Sequence, residues 1–67
     1  MHITLNGKQV ELAEDIVTIS HLLAAYQLRE KIVVVEQNGE IIDRSHYESK
    51  TIADRDRIEI VHFVGGG

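Results

Sequence analysis

The chain opens on alternation. Across Met1 to Leu5, Ile3 and Leu5 share one face while His2 and Thr4 share the other, and Gln9 to Ala13 alternates again through Val10 and Leu12. Between them stands Asn6-Gly7, the pair best suited to a two-residue hairpin turn in which both central residues take positive φ. The start of the chain therefore predicts a β-hairpin. Glu14-Asp15 interrupts the pattern, after which Ile19, Leu22, Leu23 and Tyr26 recur at i, i+3, i+4 and i+7, one face of a helix running from about Ile19 to Gln27. Thr18 is placed as its N-cap, with Val17 and Leu22 in position for a hydrophobic staple. His21 stands where a capping box calls for Glu or Gln, so the reciprocal half of that box is expected to be missing. Glu14 and Asp15 ahead of the helix, and Arg29 and Lys31 beyond it, suit the macrodipole.

Ile32-Val33-Val34-Val35 is too β-branched to prefer a helix, and Asn38-Gly39 signals a second hairpin before Ile41-Ile42. Asp43 to Thr51 has no clean period, and Arg44 to Tyr47 reads as a short helical turn. Asp54-Arg55-Asp56 is a polar turn, and Arg57 to Val64 is the last strand. One helix on one face of a mixed sheet is the economical packing of these elements, an α+β fold of the β-grasp kind. The helix face then lies against Ile3, Leu5, Val10, Leu12, Val33, Val35, Ile58 and Ile60. If Ile58 and Ile60 face the helix, Val61 and Phe63 face outward, where they are candidates for a partner-binding patch together with Val64.

Composition narrows what such a domain does. At 67 residues it buries only about 60% of the surface its unfolded chain exposes, and without cysteine it has neither disulfides nor a thiolate of its own. The net charge of -4, with Lys31, Lys50, Arg55 and Arg57 interleaved among Glu30, Glu36, Asp54 and Asp56, argues against a nucleic-acid partner. No apolar run approaches a membrane span, and Met1-His2-Ile3-Thr4 does not resemble a secretory signal, so the expected location is the cytoplasm. The histidines His2, His21, His46 and His62 match no metal-ligand spacing. Glu59 and Asp56 read as solvated charges rather than as an acid/base pair, since nothing in the chain presents a nucleophile with a partnered base.

What is left is the end of the chain, Gly65-Gly66-Gly67. Successive glycines lose the most backbone entropy on ordering and bring no side chain to pack, so a β-grasp domain over 1–63 is expected to carry a loose tail over 64–67. A tail without Cβ atoms can thread a narrow channel, and the carboxylate at its tip is the candidate functional group.

The start Ile3-Thr-Leu-Asn-Gly-Lys, the helix Ile19 to Leu28, the stretch Ile32 to Ile42 and above all Asp54-Arg-Asp-Arg-Ile-Glu-Ile-Val-His-Phe-Val-Gly-Gly-Gly67 resemble the ThiS family, the sulfur carriers of thiamine biosynthesis. The likeness covers essentially the whole chain and implies a ubiquitin-like fold. It also implies that a ThiF-type adenylyltransferase, consuming ATP, adenylates the carboxylate of Gly67. That adenylate is then converted to a thiocarboxylate with sulfur from a cysteine desulfurase system, and thiazole synthase (ThiG) takes the sulfur up. Gly65 and Gly66 would thread the tail, with the stricter steric demand on Gly66. On this reading the protein is a cosubstrate rather than an enzyme, and it binds no cofactor. The small subunit of molybdopterin synthase shares fold and tail and is the alternative among sulfur carriers; a ubiquitin-like modifier or a plain interaction module is the alternative outside them.

Overall fold

Asn6 and Gly7 both take positive φ, 50° and 83°, and so fold β1 (His2–Leu5) onto β2 (Lys8–Glu11) through a type I′ turn. Asn38 and Gly39 repeat the device at 53° and 84°, joining β3 (Val33–Gln37) to β4 (Glu40–Ile42). Between the hairpins lies α1 (Ile19–Ala25), and after them come a 3₁₀ turn (Arg44–His46) and β5 (Arg57–His62). The computed structural model describes residues 1–63. Val64, Gly65, Gly66 and Gly67, and with them the expected tail over 64–67, lie outside the described residues.

β5 enters the middle of the sheet, giving the order β2-β1-β5-β3-β4. It runs parallel to β1, with Leu5 opposite Ile58, and antiparallel to β3, with Val35 opposite Ile60. The strands thereby turn Ile3, Val35, Ile58 and Ile60 toward Ile19, Leu22 and Leu23 of the helix in one core. Each such side chain, once fully buried, contributes about 1.5–3 kcal/mol relative to leaving it exposed. Tyr26, expected in this core, is 44% exposed, because the helix stops before it. Ile42 and Ile52 are buried instead. Ile52 comes from the aperiodic segment and is held by its N–H donating 2.9 Å to the Val17 carbonyl, beside an isolated bridge between Thr18 and Thr51.

The helix starts at Ile19 behind Thr18 as predicted, but its capping box and its C-terminal end differ from expectation. At the start, Thr18 Oγ1 accepts from the His21 N–H (3.2 Å), while His21 Nδ1 accepts from the N–H groups of Val17 (3.1 Å) and Thr18 (3.2 Å). The capping box is thus closed by an imidazole, whose unprotonated nitrogen serves in place of a Glu or Gln oxygen. Val17, expected in a hydrophobic staple with Leu22, is 44% exposed and is not among the side chains packed against the core. At the end, the helix stops two residues short of Gln27. Gln27 takes positive φ (60°), its N–H donates to the Ala24 carbonyl (3.0 Å), and the Leu28 N–H donates to the Leu23 carbonyl (2.7 Å). That is a Schellman motif built without glycine. Two strand ends also shift: β3 begins at Val33 rather than Ile32, and β5 ends at His62 rather than Val64.

Candidate functional site

β5 is the element through which the domain meets its C-terminal end, and it is fixed at its start by a buried carboxylate. Asp56, read from the sequence as a solvated turn charge, is only 8% exposed. Its Oδ2 accepts from Gln37 Nε2 (2.7 Å) and the Ala53 N–H (2.9 Å), and its Oδ1 from Asn38 Nδ2 (2.9 Å). Burial pushes this carboxyl up, but the Ala53, Asn38 and Gln37 donors, with the positive charge of Lys50 nearby, outweigh it and hold it below the usual carboxylate range. Asp56 therefore ties the β3–β4 turn to the root of β5. Its polar atoms are occupied by structure, not by chemistry. Asp54 beside it accepts from the His2 N–H (2.8 Å), which secures β1 to the same turn and holds that carboxyl low as well.

From this root the side chains of β5 alternate. Ile58 and Ile60 are buried under the helix, while Arg57, Glu59 and Val61 point to the other face of the sheet. Val61 (52% exposed) lies opposite Val34 in the β3 ladder, and the Phe63 N–H donates to the Ile32 carbonyl (3.1 Å), so Phe63 (53% exposed) continues the same alignment. Ile32 and Ile41 are also exposed, Ile41 being opposite Glu36 on the outer side of β4. The outward positions of Val61 and Phe63 are as the sequence predicts; Ile32, Val34 and Ile41 were missed. Their signal was available: an antiparallel strand with one wet face should alternate, and Ile32 to Val35 does not. An apolar patch therefore lies at the end of the sheet from which residues 64–67 continue, bordered by the carboxylates of Glu36 and Glu59.

The predicted site residues Val64, Gly65, Gly66 and Gly67 lie outside the described residues. His62 lies on the β5 end opposite Val33 and is exposed. The four histidines are spread over β1, α1, the 3₁₀ turn and β5, and among the described residues no group of His, Cys, Asp or Glu is placed to hold a metal ion. An open groove of about 390 Å³ between the first hairpin and the end of the helix is lined by Leu5, Val10, Leu28 and Ile60, with Asn6, Lys8 and Tyr26 as its polar members. No helix among the described residues is long and apolar enough to cross a membrane.

Comparison with known proteins agrees with this geometry. The ThiS family model matches residues 3–67. The sulfur carrier protein ThiS of Bacillus subtilis (strain 168) is 59% identical over 63 residues, covering 94% of this chain and 96% of that one. A thiazole synthase of Paramagnetospirillum magneticum (strain ATCC 700264 / AMB-1) is 34% identical over 67 residues, which take in all of this chain and 20% of that longer one. Among solved structures, the thiamine biosynthesis protein ThiS from Geobacter metallireducens superposes with a TM-score of 0.82 at 33% identity, each chain covered completely.

Proposed function

The chain belongs to the ThiS family, the sulfur carriers of thiamine biosynthesis, and from that premise we propose that it carries sulfur as a thiocarboxylate on Gly67. A carboxylate is a poor acyl donor because its leaving group is poor. Attack of the Gly67 carboxylate on the α-phosphorus of ATP forms an acyl-adenylate and releases pyrophosphate; a persulfide sulfur then displaces AMP to give an acyl disulfide, and a thiol cleaves its S–S bond, leaving the thiocarboxylate and being itself oxidised to a disulfide. The adenylation falls to a ThiF-type adenylyltransferase and the sulfur comes from a cysteine desulfurase system. The acceptor is thiazole synthase. The observation that supports this last partner is that a thiazole synthase chain contains, within a fifth of its own length, a stretch resembling this whole protein.

The sheet-end patch of Val61 and Phe63, with Val64 following in sequence, gives the partners an apolar surface to grip a few residues ahead of the delivered group. Among the exposed apolar residues described, Val61 on β5 and Phe63 just past its end are the two nearest in sequence to Gly65, Gly66 and Gly67.

Adenylation is tested by ATP–pyrophosphate exchange catalysed by the adenylyltransferase. Exchange should depend on added carrier, and exchange indifferent to it would overturn the reading. In the same assay Phe63→Ala is expected to weaken carrier binding by about 1–2 kcal/mol. Its thermal midpoint should barely move, since a half-exposed ring has little burial to lose. Unchanged affinity would remove the patch from the docking surface.

A further inference from the structure

β5 changes character at Ile60. On its β1 side the ladder runs through the Thr4 N–H donating to the Asp56 carbonyl (2.9 Å) and the Asn6 N–H donating to the Ile58 carbonyl (2.9 Å). There β1 turns away into its hairpin. The next backbone groups of β5 on that side belong to Ile60, and both are met by one side chain: the Ile60 N–H donates to Asn6 Oδ1 (2.7 Å) and Asn6 Nδ2 donates to the Ile60 carbonyl (3.2 Å). A primary amide has an acceptor and a donor side by side and so meets both backbone groups of one residue, a task that would take two successive pairing residues of a parallel strand. The Asn6 side chain thus lengthens the β1–β5 ladder by one step beyond the end of β1.

The following residue whose backbone faces that side is His62, which lies beyond the reach of β1. On the opposite side β3 pairs with β5 as far as His62, and the Phe63 N–H still reaches the Ile32 carbonyl. Two-sided support therefore ends at Ile60, and only one side holds Val61 to Phe63. At its other end β5 is gripped in a related way. The Arg57 N–H donates to Asn38 Oδ1 (2.9 Å) and the Asn38 N–H donates to the Arg57 carbonyl (2.7 Å). In each Asn-Gly turn the asparagine therefore does two things, accepting positive φ and holding β5. Asn38 works at the root of the strand, together with Asp56; Asn6 works at the exit.

We propose that Asn6 is a positioning residue for sulfur transfer, its side-chain amide fixing the point from which residues 61–67 reach into a partner's site. The inference rests on the reading that Gly67 carries the sulfur. Seven extended residues span at most about 24 Å. On an arm of that length a swing of about 10° at the root displaces the tip by about 4 Å, as much as the whole separation of reacting atoms in a near-attack geometry. A fixed root limits the orientations from which the partner must select, and so lowers the ordering cost of binding.

Asn6→Gly separates the turn from the grip on β5, because glycine keeps the positive-φ turn and removes both bonds to Ile60. Three readouts are needed: amide hydrogen exchange, the thermal midpoint, and steady-state sulfur loading by the adenylyltransferase with the carrier varied. In Asn6→Gly the Ile60 amide should exchange about tenfold faster relative to the Ile58 amide. The KM for carrier should rise about tenfold with kcat little changed. Asn6→Asp, which retains the acceptor for the Ile60 N–H, should recover much of that KM. Asn38→Gly should lower the thermal midpoint at least as far while leaving the KM of the folded carrier at the wild-type value. Asn6→Gly with wild-type KM, or Asn38→Gly with the same rise in KM, overturns the positioning role. Failure of the wild-type carrier to load at all would instead overturn the reading of Gly67 on which it rests.

Discussion

Deleting Gly67 is expected to abolish sulfur loading while leaving the circular dichroism and thermal midpoint of the domain unchanged. The truncated chain still ends in a glycine carboxylate, because Gly66 takes its place, so the expected loss comes from reach and not from functional-group chemistry. One residue fewer withdraws the reacting carboxylate by about 3.5 Å when the chain is extended. That is as large as the gap across which attack occurs. No compensation is available from the domain, since β5 is fixed at Arg57 by Asn38 and at Ile60 by Asn6. Replacing Gly66 by a bulky residue such as leucine is expected to act at the same step for a different reason, by adding a side chain where the carrier must pass through a confined channel. A Gly67-deleted chain that loads at the wild-type rate would refute the assignment of the chemistry to Gly67.

The second large effect is on the fold. Asp56→Ala is expected to cost about 2–4 kcal/mol, because it strands one amide hydrogen of the buried Gln37 and removes the acceptor of the partly buried Ala53 N–H and Asn38 amide bonds. A domain of this size has only about 3–5 kcal/mol to lose. Asp56→Ala should therefore be partly unfolded at about 37 °C, with a urea midpoint far below wild type. The same network gives the domain an acid sensitivity of definite sign. The Asp56 carboxyl is held below its ordinary value in the folded state, so its stabilisation is complete above the unfolded pKa of about 3.9 and is lost as pH falls through the lower folded value. Asp43 and Asp54 are also held low, by hydrogen bonds from Ser45 and His2, but both are exposed and add less. Wild-type urea midpoints should fall steeply below about pH 4, and the steepness should be reduced in Asp56→Ala. An Asp56→Ala chain with the wild-type midpoint and acid profile would show that the network contributes nothing.

How much of this was legible before the fold was known depended on whether the signal was local. Asn-Gly twice, Thr18 before an apolar periodic run, and the alternation of the last strand each state their meaning within a few residues, and each was read correctly. The helix end was misplaced because Gln27 takes the left-handed position usually signalled by glycine, whereas Arg55, at φ 73°, sits in the polar turn that Asp54-Arg55-Asp56 predicts. His21 was misjudged because an imidazole closing a capping box depends on a side-chain orientation that residue type alone does not indicate. Asp56 looked like a surface charge between Arg55 and Arg57. Its burial comes from partners 18 and 19 residues away in sequence, Asn38 and Gln37. Ile52 escaped for the same reason, being placed by a bond to Val17 and not by any period of its own.

The proposed functional end was reached differently. Composition and motif spacing removed competing chemistry, and the glycine run pointed to a place, but what happens there came from the likeness of the whole chain to one family. The structure adds the way β5 is held: Asp56 and Asn38 at its root, Asn6 where two-sided support stops, and an apolar patch of Val61 and Phe63 beyond. The carrier's contribution is then mechanical. On the proposed reading it holds one strand firmly while Gly67 beyond it delivers a single reactive atom.

The most direct test is the intact mass of the chain after incubation with a ThiF-type adenylyltransferase, ATP and a cysteine desulfurase with cysteine as sulfur source, with fragmentation to locate any change. The account predicts a gain equal to sulfur replacing one oxygen, confined to Gly67 and dependent on ATP. An unchanged mass, or a modification that maps to any other residue, would contradict it.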